Sequence, residues 1–165
     1  MDKRIVTKVL KCKKLSAIDL QWIFDDEHPL RAICYEACTK NVPLSRKNEK
    51  KLFLPENKVL CLMYIKKFRQ NYEFEQELIS ANDIDLFRAI IAKGRLSAKA
   101  ETMLLRKPYE NLFKIYVKRY RLHYGSVEKK LLKSANKKLI KFYMHKQGRN
   151  MSVCRYYEFW DIAQS

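Results

Sequence analysis

Two columns of cations recur along this chain at nearly constant intervals. Lys67, Lys93, Arg119 and Lys146 form one, and Arg69, Arg95 and Arg121, two residues further on, form the other. Cations spaced in this way can track phosphates or an acidic peptide. They also suit the ends of helices, because a positive charge at a helix C-terminus complements the backbone dipole with no ligand present. Tyr120 stands between Arg119 and Arg121, where its ring could stack on a base.

A third column is acidic: Glu49, Glu75, Glu101 and Glu128. Two carboxylates close together can divide acid and base roles, but this column supplies one per copy, 26 or more residues apart. It reads better as a structural ladder, with Glu101 expected within ion-pair reach of Arg95 or Arg121. Cys34 and Cys38 lie four apart on one helix face, a spacing that two metal ligands can use. No second pair and no histidine stands at a matching spacing, so two small core residues are expected there. The five cysteines, Cys12, Cys34, Cys38, Cys61 and Cys154, are odd in number and lack a C-x-x-C pair. Reduced thiols in a cytoplasmic protein are expected. His28, His123 and His145 fall in different copies, and P-loop, G-x-G-x-x-G, G-x-S-x-G and H-E-x-x-H strings are absent. The expectation is a protein that is not an enzyme and has no metal or cofactor.

The elements that position these columns come from an internal repeat. The apolar trio Leu60, Tyr64, Ile65 returns as Leu86, Ile90, Ile91, as Leu112, Tyr116, Val117 and as Leu139, Tyr143, Met144. Backwards it returns as Leu30, Cys34, Tyr35 and as Ile5, Val9, Leu10. Adjacent apolar pairs precede the last five trios by eight residues: Trp22-Ile23, Leu52-Phe53, Leu78-Ile79, Leu104-Leu105 and Leu131-Leu132. Each pattern fits one face of a short helix, helix A for the pair and helix B for the trio. Asn57, Asp83 and Asn136 sit just before helix B, where a side-chain oxygen caps orphan amides; Pro108 and Tyr109 hold the place in the fourth copy. Leu15-Ser16, Leu44-Ser45 and Leu96-Ser97 introduce helix A, with serine as the expected N-cap. Asp26 and Pro29 start helix B of the first copy. Four extra residues near Thr39–Pro43 lengthen the first step, and Gly125 marks a one-residue insertion before the last copy.

The paired short helices resemble the α-solenoid superclass that includes HEAT and armadillo repeats, over roughly residues 3–162. The period, near 26 residues, is shorter than the units of that class, and the strings W-x-x-L-G-x-x-Y and T-P-L-H are absent. The resemblance implies scaffolding or ligand-holding on an extended surface, without a cofactor. The expected fold is all-α: a right-handed α-solenoid of short two-helix repeats in the order B, five A–B hairpins, A. It forms one domain over 1–165, with an orphan helix over 2–13, hairpins over 16–39, 45–68, 72–94, 97–121 and 124–147, and a capping helix over 150–162. Tyr156, Tyr157, Phe159 and Trp160 are expected to close that end.

Composition agrees with helices: 3 glycines and 4 prolines in 165 residues leave few turns for a sheet protein. The net charge of +17 favours an anionic partner. It is unevenly distributed, since Glu73, Glu75, Glu77, Asp83 and Asp85 make the third copy acidic. An acidic interruption suits a continuous phosphate-tracking groove poorly, so a protein partner is favoured over nucleic acid. The N-terminus MDKRIVTKVLKCKK is too charged for a signal sequence. No apolar run is long enough to span a membrane, so no membrane association is expected.

Overall fold

The structure is a computed structural model that describes residues 3–11, 13–68, 70–134, 136–148 and 151–164. Among these residues the chain is all-helical, with twelve α-helices, two short 3-10 turns and no strand. Arg69 and Cys12 lie outside the described residues, as do the side chains of Leu10 and Cys154. The chain divides into two compact units, Met1–Ala81 and Asn82–Ser165.

The first unit holds α1 (Lys3–Leu10), α2 (Ala17–Ile23), α3 (Pro29–Lys40), α4 (Arg46–Lys51), α5 (Lys58–Lys67) and α6 (Tyr72–Ala81). Sequence chemistry sets where these begin and end. Ser16 makes a capping box with Asp19: its hydroxyl accepts from the Asp19 amide at 3.3 Å, and Asp19 Oδ2 accepts from the Ser16 amide at 2.8 Å. Ser45 stands at the N-cap of α4 but makes no capping bond with its side chain. Asn57, just before α5, does not cap either; its amide donates to the Lys51 carbonyl at 2.9 Å and ties that turn back to α4. Asn71 caps α6 through the Phe74 amide at 2.9 Å. Pro55 opens a 3-10 turn that stops α4 after six residues.

Packing in this unit departs from a simple row. Helix α1 touches α3 and α5, and α3 also touches α5, so the three trio-bearing helices close on one another. Units that stack in one line touch only their neighbours. The core holds Ile5, Ile23, Leu30, Cys34, Leu52, Leu60 and Ile65. Rings of Phe53, Tyr64, Phe68 and Phe74 join α4, α5 and α6, with Phe53 and Phe74 centroids 4.8 Å apart.

The second unit holds α7 (Ile84–Lys93), α8 (Ala98–Leu104), α9 (Glu110–Val117), α10 (Val127–Lys133), α11 (Lys137–Gln147) and α12 (Val153–Gln164). Asp83 caps α7 by accepting from the Asp85 and Leu86 amides at 2.9 and 3.1 Å, Ser97 caps α8 and Asn136 caps α11. Here the helices do run in sequence: α7 packs on α9, α9 on α11 and α11 on α12, while α8 packs on α10. The turn before α10 needs Gly125, whose φ of 73° is the left-handed region that favours a residue without Cβ. Leu60, Leu86, Leu112 and Leu139, the lead residues of four trios, are each at most 4% exposed. Tyr143 packs against Phe159 of α12 with ring centroids 5.5 Å apart and tilted by 45°, while Tyr156, Tyr157 and Trp160 of the same helix are exposed.

Candidate functional site

The acidic column organises its surroundings. Glu101, on α8, is fully buried. Its Oε1 accepts from Arg95 Nε at 3.1 Å and from the Tyr116 hydroxyl at 2.6 Å. Its Oε2 accepts from the His123 amide at 2.7 Å, and the His123 ring nitrogen Nδ1 lies 2.8 Å from Oε1. Glu128, on α10, repeats the scheme with Arg121 Nε at 3.1 Å and the Tyr143 hydroxyl at 2.5 Å. Glu49, on α4, takes the Tyr64 hydroxyl at 2.6 Å.

Each tyrosine oxygen also accepts a backbone amide at the step into the preceding helix. These amides belong to Leu44 (3.3 Å), to Leu96 and to Leu122 (3.3 Å). Burial, and then the carboxylate that each phenol donates to, push Tyr64, Tyr116 and Tyr143 above the ordinary phenol value. The clamp therefore spends its ionisable groups on holding helices together. The ladder expected for Glu101 is present, with Arg95 as the partner; Arg121 belongs to Glu128 instead. The tyrosine half was missed because those positions were read from their apolar phase alone. The offset of fifteen residues from Glu to Tyr, present at Glu49, Glu101 and Glu128, is the signal that carried it. In the third copy the matching position holds Ile90, which has no hydroxyl.

The basic columns divide into two groups. Lys67, Lys93 and Lys146 are exposed in the last turns of α5, α7 and α11, where they complement the helix dipole. Arg119 is exposed two residues past α9, with its guanidinium 5.5 Å from the centre of the Tyr120 ring. Arg95 and Arg121 turn to their own glutamates. Tyr120 donates its hydroxyl to the Ile91 carbonyl at 2.8 Å and lies 5.3 Å from the Tyr116 ring. Its ring thus already has two neighbours, Tyr116 and Arg119.

Cys34 and Cys38 are buried in α3, and Cys61 is buried in α5. Burial pushes the Cys34 and Cys38 thiols up to about 12 and about 11, so both are protonated near neutral pH, the form that binds metal poorly. Asp25, Glu27 and His28 gather within 4.8 Å of one another at the surface. Asp25 already pairs with Arg31 at 2.9 Å. Among the described residues no helix is long and apolar enough to cross a membrane.

Set against family models, curated proteins and solved structures, the chain finds no match in any of the three.

Proposed function

We propose that the chain is a non-catalytic helical-repeat module, a right-handed α-solenoid of two-helix repeats, that holds a protein partner. The recurrence of one clamp, Glu49–Tyr64, Glu101–Tyr116 and Glu128–Tyr143, carries this reading. Equivalent junctions in the second, fourth and fifth copies are what stacked equivalent hairpins need, and stacked hairpins present extended binding surfaces. Glu49, Glu101 and Glu128 are committed to these junctions.

Nucleic acid is the alternative partner, through Lys67, Lys93, Arg119 and Lys146. It is disfavoured because Arg95 and Arg121 serve buried glutamates and Tyr120 has its ring and hydroxyl engaged. A salt titration separates the two. On duplex DNA, log K falls by about 0.9 per phosphate neutralised against log salt. Reversing Lys67, Lys93, Arg119 and Lys146 to Glu should change that slope no more than reversing Lys47, Lys107, Lys129 and Lys133. A slope flattened only by the first set, or a pull-down from the parent cell extract that recovers only nucleic acid, would sink the protein-partner reading.

A further inference from the structure

The reading of a protein partner leaves open which part of the surface engages it and what chemistry it prefers. In the first unit a groove of about 480 Å³ opens where the segment after α1 meets α2, α3 and the end of α5. Its volume falls in the range of built ligand pockets, roughly 300–1,000 Å³. Val9, Leu15, Leu20 and Tyr35 supply an apolar floor, and Leu20 is 38% exposed. Cys38 adds a protonated thiol to that floor, and the Thr39 hydroxyl donates to its own helix at the Tyr35 and Glu36 carbonyls. The floor is therefore mainly apolar.

Among the described residues the charge on its walls has one sign. Lys13, Lys14 and Lys67 line the groove, all three are exposed, and none makes an ion pair among the described residues. No carboxylate among the described residues lines it. Lys13 and Lys14 come from the segment after α1 and Lys67 from the far end of α5, so the cations are spread over two elements. A peptide with carboxylates along its length and aliphatic side chains between them matches both the cations of the walls and the apolar floor.

Resting on the protein-partner reading, we propose that this groove docks an acidic segment of the partner that carries aliphatic side chains, leucines on the floor and carboxylates toward Lys13, Lys14 and Lys67. The test uses the full chain and a fluorescein-labelled synthetic peptide with leucines at i, i+3 and i+7 among glutamates, read by anisotropy. Two companion peptides replace leucine by alanine, or glutamate by lysine. Reversing Lys13, Lys14 and Lys67 to Glu should weaken binding about tenfold or more, against about twofold for Lys47, Lys129 and Lys133. Leu20→Gln, an exposed floor position, should weaken binding without lowering the thermal midpoint, and both companion peptides should lose it. Equal effects of the two charge sets would overturn the proposal, as would an alanine peptide that binds as tightly as the leucine one. So would binding of phosphatidylserine vesicles, sensitive to the same lysines, by a chain that ignores the peptide. A chain that binds none of the probes overturns the groove while the salt-titration test of the protein-partner reading stands apart.

Discussion

The Tyr116 hydroxyl donates to the fully buried Glu101 carboxylate at 2.6 Å, across fifteen residues of sequence, and the same relationship holds at Tyr64 with Glu49 and at Tyr143 with Glu128. Burying a carboxylate without hydrogen-bond donors is costly, so each donor here is structural. Tyr116→Phe removes one donor and leaves the rest of the ring. It should lower stability by about 1–3 kcal/mol, measured by chemical denaturation. Tyr157→Phe, at an exposed position of α12, should change stability by less than about 0.5 kcal/mol. Equal effects would mean that the clamp contributes nothing.

Leu112 is wholly buried on α9 between helices α7 and α11. Leu112→Ala should cost about 2–5 kcal/mol, as other large-to-small core changes do. A thermal midpoint unchanged by this substitution would contradict the register assigned to the trios.

Alkaline pH should unfold the chain through its phenols. Tyr64, Tyr116 and Tyr143 are held neutral in the fold above the ordinary phenol value of 10.0. Their folded values are raised, so the contribution is complete below pH 10 and is lost as pH climbs beyond it, because the unfolded phenols ionise first. Spectrophotometric titration at 295 nm should show these three ionising only together with loss of helical circular dichroism, after the exposed tyrosines. Ionisation of every tyrosine with the helix signal intact would refute this.

Acid should act on the opposite side. Lys8 Nζ bonds Asp19 Oδ2 at 2.6 Å, and this bond, followed by the Ser16 amide, lowers the Asp19 carboxyl from 3.8 to about 2. A lowered folded value gives stability that is present above pH 3.8 and lost as pH falls toward 2. Lys8→Met should shrink this acid-dependent loss, read as a smaller drop in thermal midpoint between pH 5 and pH 2.5. An unaltered drop would show that Lys8 does not hold the carboxyl down.

How far the sequence speaks is visible in individual residues. The buried faces were legible: the spacing of Leu86, Ile90 and Ile91 marks a stripe, and all three are buried on α7. The pairing of Glu101 with a repeat arginine was legible as charge proximity, but proximity could not choose between Arg95 and Arg121. The structure chooses by position, since each arginine lies six or seven residues before its own glutamate, on the approach to the same helix. Caps were half legible. Asp83 and Asn136 cap their helices, while Asn57 in the same column is drawn to the Lys51 carbonyl by the 3-10 turn that Pro55 imposes. The contact of α1 with α5 was not legible at all, because a periodicity gives the face a helix buries and says nothing about which neighbour covers it. The groove flanked by Lys13, Lys14 and Lys67 was hidden for the same reason: two of its lysines belong to no column.

The insertion at Gly125 and the reach of Glu101 together define where this chain can be cut. A segment from Arg95 to Tyr120 carries one acid together with the guanidinium, the phenol and the leucine amide that satisfy the pair, lacking only the His123 amide. Such a segment keeps the acid together with its Arg95 and Tyr116 donors. A segment that ended at the loop between α8 and α9 would carry the acid without its phenol. For an engineer excising one hairpin, the segment that keeps the acid with its donors therefore begins at the arginine and not at the hairpin turn.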